Sequence, residues 1–78
     1  MAHLSAEESQ ALRRSFGERV RVLREHRELS QERLAEHAGV HRTYVSSVER
    51  GHRNIGLENI HAFANALAVS PAQFFEEG

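Results

Sequence analysis

The chain has 78 residues, no cysteine, and no apolar run long enough for a signal peptide or a bilayer span. That allows one domain with a modest core, burying roughly 60–65% of the unfolded surface, and excludes a disulfide framework or a thiolate zinc site. The formal net charge of −1 points away from a nucleic-acid binder until it is mapped along the chain.

Residues 13–53 hold all ten arginines against six glutamates. The other five glutamates, Glu7, Glu8, Glu58, Glu76 and Glu77, lie on flanks without a basic residue. The centre is therefore basic and the ends acidic, and such a molecule can steer its middle to phosphate. Lysine and aspartate are both absent. That reads as compositional bias, although arginine does suit two-bond contact to guanine or phosphate. The composition predicts a soluble, intracellular protein.

Ser5 and Glu8 have capping-box spacing, so a helix is predicted from near Ala6. Leu12, Phe16, Val20 and Leu23 mark one face of it. Gly17 lies inside this run and costs about 1 kcal/mol relative to alanine. Two outcomes stay open: an irregular helix, or one that begins near Ser15 behind a loose arm at residues 1–11. Arg13, Arg14, Arg19, Arg21 and Arg24 outnumber Glu18 and give this helix a positive side. It reads as a solvated face, with a phosphate contact as the alternative.

The link at 27–29 ends the first helix, and Leu29 is predicted to be core. Ser30 is a good N-cap, with Glu32 in the first turn complementing the helix dipole. A second helix runs to about residue 37, with Leu34, Ala35 and Ala38 on one side. Gly39 suits a position of positive φ that ends the helix and turns the chain. Val40 is placed to plug the corner. His41 caps a third helix, from 42 to about 50, whose inward residues are Val45 and Val48. Gly51 stops it and 52–56 form a loop. A fourth helix spans 57–67, with Leu57, Ile60, Phe63, Ala64 and Leu67 as its apolar stripe. Ser70 and Pro71 begin a short fifth helix. Val69, Ala72, Phe74 and Phe75 cannot all point into one small core. One phenylalanine finishes the core; the other, with Val69 and helix four, is a candidate for a two-fold interface.

Two short helices meeting at a tight turn are the plan of a helix-turn-helix, whose second helix lies in the DNA major groove. The chain resembles the Cro/lambda-repressor (XRE-like) class of bacterial and phage DNA-binding domains over about residues 16 to 75. The resemblance rests on Leu29-Ser30-Gln31, Leu34-Ala35, Ala38-Gly39-Val40, Val45-Ser46, Val48-Glu49-Arg50-Gly51 and Leu67-Ala68-Val69 in this order and spacing. Within the class, Arg42-Thr43-Tyr44-Val45-Ser46, Glu49-Arg50 and Arg53-Asn54 are similar to restriction-modification controller proteins. The fold implied is all-α: a compact five-helix domain spanning 1–78, with helices 2 and 3 as the helix-turn-helix and residues 69–78 as a C-terminal helix for dimerisation. Family members often carry glycine near Glu28, so the local turn is strained or differently shaped.

The function implied is sequence-specific regulation of transcription by a homodimer on an inverted-repeat operator, inside a bacterium or phage-infected cell. The partners implied are double-stranded DNA and a second copy of the chain, with no membrane and no small-molecule ligand. With Val45 and Val48 turned inward, positions 42, 43, 46 and 47 face out. The resemblance makes Arg42, Thr43 and Ser47 base readers, with Tyr44 and Ser46 beside them. Tyr44 has the alternative of a half-buried ring closing the core edge. Gln31 is implied as a phosphate contact. Arg33, Arg50, His52, Arg53 and Asn54 are candidate backbone clamps, with a solvated turn as the bland alternative for the loop. Arg24 and Glu49 are implied to pair across helices one and three.

An antitoxin- or phage-repressor-like regulator has the same fold. A protein-interaction module that has lost DNA binding would carry an acidic or apolar third helix. An enzyme is not expected, since the chain offers no nucleophile–base pair and no glycine-rich phosphate loop. No cofactor and no metal is expected either: Gly39 separates His37 from His41 and no third ligand is evident. His41 and His52, if near phosphate, would gain charge below neutral pH and strengthen binding.

Overall fold

The computed structural model describes residues 3–76. Residues 1–2 and 77–78, the outermost parts of the expected arm and C-terminal helix, lie outside the described residues. The order is α1 (Ala6–His26), α2 (Gln31–Ala38), α3 (Arg42–Glu49), α4 (Leu57–Leu67) and a 3-10 turn, Pro71–Phe75. No strand occurs among the described residues, and no helix is long and apolar enough to cross a membrane.

Side-chain caps set the starts of every helical element except α4, which begins after Gly56. Ser5 Oγ accepts from the Glu8 N–H at 3.0 Å, and the Glu8 carboxylate accepts from the Ser5 N–H at 2.9 Å. These Ser5 contacts, the backbone bond first, hold the Glu8 carboxyl below its ordinary value. Their contribution is present above the ordinary carboxylate range and is lost as pH falls through the lowered value. Ser30 Oγ accepts from the Arg33 N–H at 3.0 Å. Ser70 and Gln73 repeat the capping box around Pro71.

All four α-helices end the same way, in a Schellman motif. Leu29, Val40, His52 and Val69 donate their N–H groups back to the carbonyls of Arg24, Ala35, Ser47 and Ala64, at 3.2, 3.0, 2.9 and 3.0 Å. The residue before each donor sits in the left-handed region. Gly39 (φ 72°) and Gly51 (φ 77°) do so freely, whereas Glu28 and Ala68 do so at φ 56°. A β-carbon in that conformation costs about 1–2 kcal/mol. The link after α1 is thus the strained form of the glycine turn.

The core is Phe16 and Val20 of α1, Leu34 and Ala35 of α2, Val45 and Val48 of α3, Phe63, Ala64 and Leu67 of α4, and Phe74. Leu29 is half-buried and packs against it. Leu12 and Leu57 belong to the apolar stripes expected to face inward, yet they are 52% and 72% exposed. Leu57 is the first residue of α4 and projects past the packed body. Leu12 lies at the rim of a surface cleft, bordered by Ile55, Ile60 and Phe75 without being covered by them.

The expected fifth helix is a 3-10 turn, so the fold has four α-helices. Its five residues are too few for a stable α-helix. The tighter turn lets consecutive rings reach one partner: Phe74 and Phe75 lie 5.1 and 5.6 Å from the Phe16 ring. Phe74 is 2% exposed and belongs to the core, so its place in the expected interface is withdrawn. Phe75 keeps 58% of its surface exposed.

Gly17 neither breaks α1 nor marks its start, since the helix is continuous from Ala6 and no loose arm remains within the described residues. The glycine is buried where α3 ends against α1. A β-carbon there would overlap the Val48 carbonyl oxygen and lie 2.8 Å from that of Glu49. Two turns further along, Arg24 grips Glu49 with two bonds, Nε to Oε2 at 2.7 Å and Nη2 to Oε1 at 3.0 Å. Arg24 Nη1 also donates to the Leu29 carbonyl at 2.8 Å. The Glu49 side chain is 3% exposed and that of Arg24 12%. The bond to Glu49 raises the arginine's pKa against the opposing effect of burial.

Four substitutions test this account by denaturant unfolding. Gly17→Ala is expected to destabilise by about 1–3 kcal/mol through overpacking; a gain of the alanine helix propensity would show that α3 does not approach so closely. Glu28→Gly and Ala68→Gly are each expected to stabilise by up to about 1 kcal/mol, the left-handed strain less the entropy of glycine. Glu49→Ala, which strands a buried guanidinium, is expected to cost about 3 kcal/mol or more.

Candidate nucleic-acid interface

The α2–α3 unit is fixed from inside. Leu34 and Ala35 are buried with Val45 and Val48, and the small Ala35 lets α3 cross close by. Gly39 turns the chain and half-buried Val40 closes the corner. With its inner side pinned at 45 and 48, α3 presents Arg42 and Thr43 fully outward and Ser46 and Ser47 partly so.

These side chains differ in their freedom. Arg42 makes no hydrogen bond or ion pair among the described residues. His41 caps α3 through its ring: Nδ1 accepts from the Thr43 N–H at 3.2 Å and lies 2.9 Å from Thr43 Oγ1. Ser46 Oγ accepts from Arg50 Nη1, which folds Arg50 back along its own helix.

Tyr44 is held more firmly than a base reader needs. Its ring meets Phe63 edge-on at 6.1 Å, and its hydroxyl accepts from Asn59 Nδ2 at 3.1 Å. The half-buried ring closes the core edge, the alternative weighed for it from sequence. Its outer face carries the Arg53 guanidinium, 5.0 Å from the ring centroid. Asn59 was not singled out in the sequence, and no local pattern marks it: its partner lies fifteen residues away.

Gln31 begins α2, and its amide Nε2 donates to Glu49 Oε1 at 3.0 Å. Glu49 thereby ties the start of α2 and the end of α3 to α1, and leaves the second Gln31 N–H free. Gln31 also lines a shallow polar hollow with Arg24, Ser30, Glu32 and Arg42, between the starts of α2 and α3. Backbone N–H groups at such a helix start suit an anion. Arg33 is exposed and pairs with Glu36 at 3.1 Å, which neutralises it locally. His52, Arg53 and Asn54 are exposed on the loop that follows α3.

The structure thus brings Gln31 and Arg42 together between the starts of α2 and α3, with Thr43, Ser46 and Ser47 on the outer side of α3. Arg50, His52, Arg53 and Asn54 follow α3 in the chain and are exposed. Val69 and Phe75 border grooves lined by Arg19 and Val22, and Phe75 also borders the cleft that holds Arg53 and Asn54. No cluster of three or more His, Cys, Asp or Glu side chains able to hold a metal occurs among the described residues.

Comparison with known proteins agrees with this geometry. The model of the family described as "Helix-turn-helix" matches residues 20–74. The control protein C.BamHI of Bacillus amyloliquefaciens is 42% identical over 66 residues, 83% of this chain and 82% of its own length. The control protein C.SmaI of Serratia marcescens is 49% identical over 55 residues, 70% of this chain and 66% of its own. The crystal structure of the restriction-modification controller protein C.AhdI from Aeromonas hydrophila superposes with a TM-score of 0.82 at 48% identity, covering 83% of this chain and 98% of that one. A helix-turn-helix pinned by its own core and the match over residues 20–74 agree: the chain belongs to the XRE-like helix-turn-helix family, among relatives that include restriction-modification controller proteins.

Proposed function

We propose that this protein is a sequence-specific transcriptional regulator of the controller type, binding an inverted-repeat operator as a homodimer with α3 in the major groove. The observation that carries the reading is Arg42, an unpartnered guanidinium at the exposed start of a helix whose opposite side is locked in the core. Such a group reaches a guanine O6 and N7 together, which a neutral side chain there does not. Thr43 and Ser47 offer hydroxyls beside it. Gln31, Arg50, His52, Arg53 and Asn54 flank the helix at positions suited to phosphate, and such contacts set the register without reading bases. Arg33, paired with Glu36, and Tyr44, packed on Phe63, are the weakest members of the set.

Dimerisation is supported by Phe75, Leu12 and Val69. Phe75 and Leu12 are large, apolar and exposed, and they line one surface groove with Phe16 and Val22. Val69 lines the adjoining groove. One reading helix spans too few base pairs for tight specificity, whereas two related by a dyad read half-sites about 34 Å apart.

Selection from random duplexes of about 30 base pairs, three turns of DNA, tests the reading. An inverted repeat with half-sites about one turn apart is the expected product. No enriched motif, with binding abolished by moderate salt, would sink it. Arg42→Ala is expected to relax preference at one base pair, by about 1–3 kcal/mol, and to leave the melting temperature unchanged. Phe75→Glu is expected to shift the species seen by sedimentation from dimer to monomer while the fold persists. An unchanged dimer would move the interface elsewhere.

A further inference from the structure

Helix α1 and its cap carry six arginines, and four of them are used inside the protein. Arg19 Nε donates to the Gln73 carbonyl at 3.0 Å, and Arg27 Nη2 to that of Ala68 at 3.1 Å. Arg21 pairs with Glu18 and Glu25, and Arg24 with Glu49. The remaining two differ. Arg13 bonds only the Ser9 hydroxyl, at 3.1 Å, and Arg14 has no hydrogen bond or ion pair among the described residues.

Their position is set by the chain that leaves α3. A β-carbon on Gly51 would lie 2.7 Å from Arg14 Cγ and 2.8 Å from Arg14 Cα, so this stretch runs directly against α1. Arg13 lines one cleft with Arg53 and Asn54, over a floor of Phe16, Ile55 and Ile60. Arg13 and Arg14 of α1 are therefore brought beside the stretch that carries Arg53, with Arg50, turned back to the Ser46 hydroxyl, at its head. None of the four has a carboxylate within salt-bridge distance among the described residues. Like charges gathered along one surface repel one another unless an anionic surface is brought to them. The same cleft is bordered by Leu12 and Phe75, which places the cluster between α3 and the apolar groove.

Resting on the regulator reading above, we propose that Arg13 and Arg14 join Arg50 and Arg53 in a second phosphate-binding strip, through which α1 grips the DNA backbone on the side of the half-site that faces the Phe75 groove. In a dimer built on that groove, these are the phosphates between the half-sites. The grip is indifferent to base sequence. It strengthens binding to any duplex and leaves specificity to α3.

The test uses the full chain and its Arg13→Gln/Arg14→Gln variant. The probes are a duplex of about 30 base pairs carrying the selected operator and a scrambled one of equal length, titrated between roughly 50 and 200 mM salt. Each phosphate contact contributes about 0.9 to the slope of log K against log salt, so the variant's slope is expected to be shallower by about 2 per protomer. Affinity falls by the same factor on both duplexes, and ethylation of phosphates between the half-sites ceases to interfere. Arg13→Lys/Arg14→Lys, which keeps the charge, restores the slope, and Arg21→Gln leaves it unchanged. Equal melting temperatures show that the variants fold. A variant with wild-type slope and wild-type interference overturns the strip and leaves the regulator reading standing. Loss confined to the operator also overturns it, because that is base reading. A wild-type protein that binds neither duplex overturns both.

Discussion

The structure depends on one backbone contact, the landing of the α3 C-terminus on α1 at Gly17. Helices carrying ordinary side chains keep their axes about 8–10 Å apart. Here a residue without a side chain lets the Val48 and Glu49 carbonyls descend to the α1 surface. Glu49 then points its carboxylate along α1 to Arg24 and receives Gln31 from the start of α2. Three helices are indexed to one another within a few residues. The apolar core alone would tolerate some sliding, because burial has no preferred direction. The two-bond Arg24–Glu49 pair and the steric notch at Gly17 do not.

That indexing decides what the reading surface is. Val45 and Val48 fix the rotation of α3 about its axis, and the notch fixes its tilt and height. The exposure of Arg42 and Thr43 follows from both. The arginines divide accordingly. Arg19, Arg24 and Arg27 hold the fold together from α1, and Arg21 and Arg33 are neutralised by neighbouring glutamates. The unneutralised ones lie at 13, 14, 42, 50 and 53. A chain with a net charge of −1 thus keeps five arginines without an ion pair among the described residues, because Glu18, Glu25, Glu36 and Glu49 are spent on Arg21, Arg33 and Arg24.

The helix boundaries were legible because caps are local chemistry. Ser5, Ser30, Ser70, Gly39 and Gly51 act on backbone groups within four residues of themselves. Glu28 and Ala68 perform the same left-handed turn as the glycines, and only Glu28 was suspected, through a resemblance rather than its own chemistry. Apolar period failed at the ends of elements. Leu12 and Leu57 match the helical stripe, but period reports a direction, not whether anything lies in that direction. Phe74 and Phe75 could not be told apart, because a 3-10 turn and an α-helix aim successive rings differently and five residues do not reveal which will form.

The sequence by itself determined the four α-helices, the helix-turn-helix at 31–49 and the outward set at 42, 43, 46 and 47. Each of these follows from spacing and capping over a few neighbouring residues. The tertiary structure alone decided the meaning of Gly17, the burial of Phe74 over Phe75, the anchoring of Tyr44 by Asn59 and the company of Arg13 and Arg14 with the loop after α3. Those depend on which surfaces meet across fifteen to nearly sixty residues of chain. Such distances are bridged by packing geometry, and residue spacing along one helix carries no record of it.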